Sequence, residues 1–260
     1  MINEPINFLN KDVKVYEIAT KEILFFLDEK ESDCKRFCAK RNISFMPSIT
    51  GKNVYKYDQI YNNFTEFEIK EEQKVDDEQY IFDNRILDSF KNNPVLFVYS
   101  KGSLKGVIHF CDYNRNVVYV YVYSVLLEFE RLLRLFLIKN NIEENDIFIE
   151  LQIKNESKIK KRRSEEREDI NIDPFQIFDL GHITDYIKTK FKIDFNPDRE
   201  ITNLRNYIMH GKSLISKEDY LKENFIYNYN SFKIFFNRVE KLNTEFNKIY
   251  NLLVFEKYNI

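Results

Sequence analysis

The chain has 260 residues, a net charge of −2 and 43% hydrophobic against 32% charged side chains, the balance of a folded, soluble protein rather than a disordered one. Near-neutral charge excludes a protein that coats nucleic acid by electrostatics alone. Residues 1–118 hold 17 basic and 19 acidic side chains and 119–260 hold 23 of each, so any RNA contact has to be a local patch. With only 5 Gly and 5 Pro, turn-dense propellers and jelly rolls are disfavoured, and the longest apolar run, 117–127, is too short to cross a bilayer.

Cys34, Cys38 and Cys111 are an odd set of thiols, and the first residues lack a basic stretch followed by an apolar one. A cytoplasmic protein with reduced thiols, off the membrane, is expected. Cys34 and Cys38 share a helix face without a second ligand pair nearby, so they read as packing residues, and no metal site is expected. Length favours two domains, 1–116 and 117–260.

In chain order, 15–18 and 23–27 are short apolar runs, 33–41 is a charged helix, and 43–47 is a strand ended by Pro47. Gly51-Lys52-Asn53 turns the chain into a period-two strand at 54–58, and the acidic, weakly patterned 59–79 reads as a connector. The order then repeats: a helix at 85–90, a strand at 93–99, a turn at Lys101-Gly102-Ser103, and a strand at 104–110 closing on Asp112. Helix, strand, glycine turn, strand and Asp thus occur twice at an interval of roughly fifty residues, a faint internal repeat.

Gly106-Val107-Ile108-His109-Phe110-Cys111-Asp112 carries a resemblance to the tandem CBS-domain pair, a small sensor module that commonly binds adenine nucleotides. In that family the second strand ends in a glycine, an apolar pair, a Thr or Ser, two residues and an Asp that contacts ribose. Here His109 stands at the hydroxyl position; in the first copy Tyr55 precedes Asp58 and the glycine is missing. The resemblance implies Asp58 and Asp112 as nucleotide-binding residues, with an adenine nucleotide as a regulatory ligand and no catalytic cofactor.

From 117 the period changes. Val118, Val122, Val125, Leu126, Phe129, Leu132, Leu133, Phe136 and Leu137 recur at three and four residues, an amphipathic helix. Its first turns, 117–123, also alternate with period two and are β-branched, so strand stays open there. Residues 154–169 are a run of mixed charge. Further helices are expected at 174–192, from Asn196-Pro197 (N-cap and first position) to His210 with a stop at Gly211, and at 227–257. Four helices with a long second connection describe an up-and-down bundle.

Arg205-Asn206 and His210 place a fixed cation, an amide and a titratable base near one helix end, the groups needed to cut RNA without a metal. Together with Gly211 and Glu130-Arg131-Leu132-Leu133-Arg134 on the first helix, they make 117–260 resemble a HEPN domain, a family of dimeric four-helix bundles that are mostly metal-independent ribonucleases. The resemblance implies an α+β chain: a CBS-like module followed by an all-α HEPN bundle. It assigns His210 as base toward a ribose 2′-hydroxyl, Arg205 to the phosphate, Asn206 as a donor or orienting group, and Glu130 and Arg134 as support. A two-fold homodimer would bring a second His210 opposite the first as acid.

RNA and a second copy are thus the expected partners, with an inhibitory protein as a further candidate and a regulated toxin or antiviral effector as the expected role. Lys160, Lys161, Arg162, Arg163 and Lys212 are weaker RNA-binding candidates, because acidic residues follow the cluster as they would in a solvated loop. Other readings stay open. His210 can cap a helix end, Arg205 can pair with Glu130 or another bundle carboxylate, and Glu130 with Arg134 can be an ordinary surface pair. His109 and His182 read as structural, and Asp179 and Asp185 face no obvious metal partner. A non-catalytic dimerisation or binding module with a nucleotide-sensing domain is the rival function.

Overall fold

A computed structural model describes residues 13–41, 43–153, 175–210, 226 and 228–255, with the side chains of His210 and Phe255 outside the description. The chain is mixed α and β, with its sheets in the first half and long helices in the second. It divides into two compact units, one built on Leu9–Val118 with Ile226–Lys233, the other on Tyr119–Phe225 with Ile234–Ile260.

The first unit contains a one-turn helix α1 (Val15–Ile18), α2 (Glu31–Arg41) and the antiparallel meander β1 (Phe45–Pro47), β2 (Asn53–Asp58) and β3 (Asn63–Glu68). A second sheet holds β4 (Lys74–Asp76), β5 (Val95–Ser100) and β6 (Ser103–His109), with α3 (Asn84–Asn92) between β4 and β5. β4 runs parallel to β5, and β5 antiparallel to β6. The central position of β5 explains its unbroken buried run Leu96, Phe97 and Val98. Lys101 and Gly102 both have positive φ (49° and 77°), as a two-residue hairpin loop requires. A Cβ on Gly106 would meet the Thr20 carbonyl oxygen at 3.0 Å and the Ala19 Cβ at 3.2 Å, so glycine allows the close approach where Thr20 bridges Val107.

The repeated order is present as α2, β1, Gly51, β2, Asp58 and again as α3, β5, Gly102, β6, Asp112. The two copies diverge at their last strand. After Asp58 the chain turns into β3, whereas after β6 it enters a 3-10 turn, Phe110–Asn114. The 59–79 stretch expected as a connector therefore carries β3 and β4. β3 is an edge strand, mostly exposed, and β4 buries only Val75, so neither leaves much hydrophobic trace. Phe90 and Tyr113 close the core against Phe232, at ring distances of 5.2 and 4.7 Å, and Asn114 exchanges hydrogen bonds with the Ile226 backbone.

The second unit is helical. α4 (Asn116–Lys139) is followed by α5 (Glu144–Glu150), α6 (Leu180–Phe191), α7 (Glu200–His210) and α8 (Tyr229–Phe255). The ambiguous start of α4 is helix: Val118, Val122, Leu126 and Phe129 fall on one side at intervals of four, four and three and are at most 1% exposed, so burial overrides β-propensity. Tyr119 stacks on Tyr207 while Phe129 lies edge-on to Phe195, which sets α7 antiparallel to α4. Tyr207 with Phe235, and Glu200 with Arg238, set α8 antiparallel to α7. The Asp185–Arg199 and Lys188–Asp194 pairs do the same for α6 and α7. α4 and α6 thus run the same way, a departure from strict up-and-down order; the connection through α5 carries the chain back. Among the described residues no helix is long and apolar enough to cross a membrane.

Candidate functional site

α7 is held at both ends by bonds its sequence provides. The Asn196 side chain accepts the backbone N–H of Ile201 at 2.9 Å and of Thr202 at 3.3 Å, and donates to the Thr202 hydroxyl at 2.6 Å. Pro197 opens a 3-10 turn in which Asp198 and Arg199 take left-handed φ (53° and 58°), a strained bend before the helix. At the far end the Tyr119 hydroxyl donates to that of Tyr207 at 3.1 Å.

Between these ends, Arg205 Nε donates to Glu130 Oε1 at 2.8 Å, and Arg134 Nη2 donates to Glu130 Oε2 at 3.2 Å. Glu130 is 5% exposed, so the pair on α4 is no surface bridge; it is a buried carboxylate clamped between two guanidiniums. Burying a carboxylate is costly unless both oxygens are paired, and here both are. Among the described residues no acceptor bonds the terminal nitrogens of Arg205, whose side chain is 32% exposed. Glu130 therefore fixes the guanidinium through its inner edge and leaves the fork for an anion.

Arg205 borders a cavity of about 300 Å³. Thr202, Arg205 and Asn206 contribute from α7, and Asn196 and Arg199 from the bend before it. The opposite wall is the start of α6, with Asp179, His182 and Asp185. Asp179 is the N-cap of α6: its Oδ1 accepts the His182 backbone N–H at 2.9 Å and lies 3.1 Å from His182 Nδ1. That ring nitrogen is buried without an aligned hydrogen bond, so the contact has ion-pair distance but not hydrogen-bond geometry. Among the described residues no three His, Cys, Asp or Glu converge to hold a metal ion.

His210 ends α7 as helix backbone, one and a half turns beyond Arg205; its side chain lies outside the described residues. So do Gly211, Lys212, Lys160, Lys161, Arg162 and Arg163.

The first unit has its own cavity, about 490 Å³ and mostly apolar, bordered by Phe45, Pro94, Phe97, Val107, His109 and Asp112, among others. His109 Nδ1 accepts the Cys111 N–H at 3.2 Å, which leaves the proton of the neutral ring on Nε2. Burial pushes the His109 pKa below its ordinary value, against the opposing charge of Asp112. Asp112 is committed locally: one oxygen accepts the His109 N–H at 2.8 Å and the other binds Arg115 at 2.9 Å. Asp58 accepts the Ile60 and Tyr61 amides in the turn between β2 and β3 and does not border this cavity.

Compared with protein-family models, curated proteins and solved structures, the chain matches none. The function must be read from the site itself.

The fold brings together Arg205, Asn206, Glu130 and Arg134, all named from the sequence. It adds His182, Asp179 and Arg199, which sequence reasoning passed over as functional. One local signal was present: Asp179-Leu180-Gly181-His182 places an N-cap carboxylate and an imidazole three residues apart, which puts them on one side of a helix start.

Proposed function

We propose that this chain is a HEPN-type endoribonuclease that cleaves RNA through attack of a ribose 2′-hydroxyl on the adjacent phosphate, without a metal. His210 takes the hydroxyl proton, and Arg205 holds the phosphate and balances the charge that builds on its oxygens. Asn206, beside Arg205 on the cavity wall, donates to the phosphate or orients the base. The products are a 2′,3′-cyclic phosphate and a free 5′-hydroxyl. The observation that carries the reading is the grip of buried Glu130 on Arg205 through Nε, which holds a guanidinium beside Asn206 at a polar cavity, its terminal nitrogens unbonded among the described residues.

The chain works in this proposal as a cytoplasmic homodimer with a regulated toxin or antiviral role, and an inhibitory protein partner fits such a role. The N-terminal unit acts as a CBS-like sensor for an adenine nucleotide; the roomy cavity beside His109 and Asp112 supports a ligand in that unit. Incubation of purified wild type with total RNA in EDTA, beside Arg205→Ala and His210→Ala, tests the reading. Degradation by wild type alone is expected. Equal inertness of all three would favour a non-catalytic dimerisation or binding module instead.

A further inference from the structure

Cleavage by a 2′-hydroxyl needs two proton transfers, one off the attacking oxygen and one onto the leaving 5′-oxygen. Resting on the ribonuclease reading above, the geometry points to His182, in the same chain as Arg205, as the general acid that protonates the leaving 5′-oxygen.

Three observations carry this assignment. His182 shares the wall of the 300 Å³ cavity with Arg205 and Asn206, so one cavity relates an imidazole to the proposed phosphate-holding group. Its Nδ1 is buried while the side chain as a whole is 40% exposed, so the exposed part of the side chain lies away from Nδ1. The carboxylate of Asp179 sits 3.1 Å from Nδ1 and is itself fixed by capping α6, a helix of 12 residues. A carboxylate beside one side of an imidazole leaves the other nitrogen for proton transfer, the order seen in other acid–base histidines. His182 is thus mounted on a rigid helix start beside a fixed carboxylate.

The step balances in protons and bonds. The 2′-oxygen forms a bond to phosphorus as His210 accepts its proton. The bond from phosphorus to the 5′-oxygen breaks, the electron pair stays on that oxygen, and His182 Nε2 supplies the proton. Each histidine finishes in the state in which the other began.

An RNA whose scissile 5′-oxygen is replaced by sulfur tests the assignment, because a thiolate leaves without being protonated. On ordinary RNA, His182→Gln in the full-length chain should lose ~10²–10⁴-fold in rate. On the sulfur substrate it should return to near the wild-type rate, while Arg205→Ala and His210→Ala stay inactive on both. His182→Asn serves as a second variant, with circular dichroism checking that each remains folded. Full activity of both His182 variants on ordinary RNA, or a loss that sulfur does not rescue, overturns the acid role and leaves the ribonuclease reading standing. A wild type that cleaves neither substrate removes both.

Discussion

Replacement of Glu130 by Ala perturbs stability and the candidate site together. Two charge-assisted hydrogen bonds, each worth about 1.5–3 kcal/mol, end on a carboxylate that is 5% exposed. Removing one side of a buried ion pair costs about 3–5 kcal/mol. Arg205 and Arg134 are 32% and 19% exposed, so water recovers part of that loss, and about 3 kcal/mol remains for Glu130→Ala. In a chain of this size that lowers Tm by about 6–12 °C. Glu130→Gln keeps the shape and one acceptor and should cost about half as much, about 1.5 kcal/mol. Urea denaturation followed by far-UV circular dichroism measures both. In a double-mutant cycle, Glu130→Ala with Arg205→Ala should show coupling of about 1 kcal/mol or more. Additive effects, or a Glu130→Ala variant within about 0.5 kcal/mol of wild type, would refute the clamp.

Asn196→Ala removes the cap of α7 and should cost about 1–2 kcal/mol, read as a shift in urea midpoint; an unchanged midpoint would mean the cap bonds carry no net stability. Because burial holds His109 below the ordinary histidine value of 6.5, the unfolded chain binds more protons than the folded one between the two pKa values. This contribution is full above that ordinary value and is lost as pH falls toward the folded one, so His109→Gln should lose less stability than wild type between about pH 7.5 and pH 5. Cys34 and Cys38 are buried, and the Cys38 thiol is pushed up to about 11 by burial and by Cys34. A disulfide-exchange reagent near pH 8 should therefore label both slowly in the folded chain and quickly in urea; equal rates would contradict their burial.

The helical half was more legible than the sheets. Asn196 does cap α7 through its side chain, but the helix begins at Glu200 and not at Pro197, because a strained 3-10 bend intervenes; α4, α6 and α8 carry apolar residues at three- and four-residue spacing. β3 and β4 do not, because an exposed edge strand and a three-residue strand with one buried side chain have almost no period to read. The direction of α6 was hidden for another reason: it is set by pairs with residues around α7, which no helix periodicity encodes. Arg205 and Asn206 were visible as a motif, and Glu130 as its possible counter-ion. Their bond joins residues 75 positions apart and depends on how α4 and α7 cross. His182 read as structural, because nothing in the sequence pairs it with another functional residue. Only the cavity relates it to Arg205.

A short RNA carrying a single 2′-deoxy substitution at the cleaved nucleotide gives the most direct measurement of the central claim. The ribose version should be cut to a 2′,3′-cyclic phosphate in the presence of EDTA, and the deoxy version should remain intact at that position. Equal cutting of both, or a product ending in a 5′-phosphate, would contradict the account.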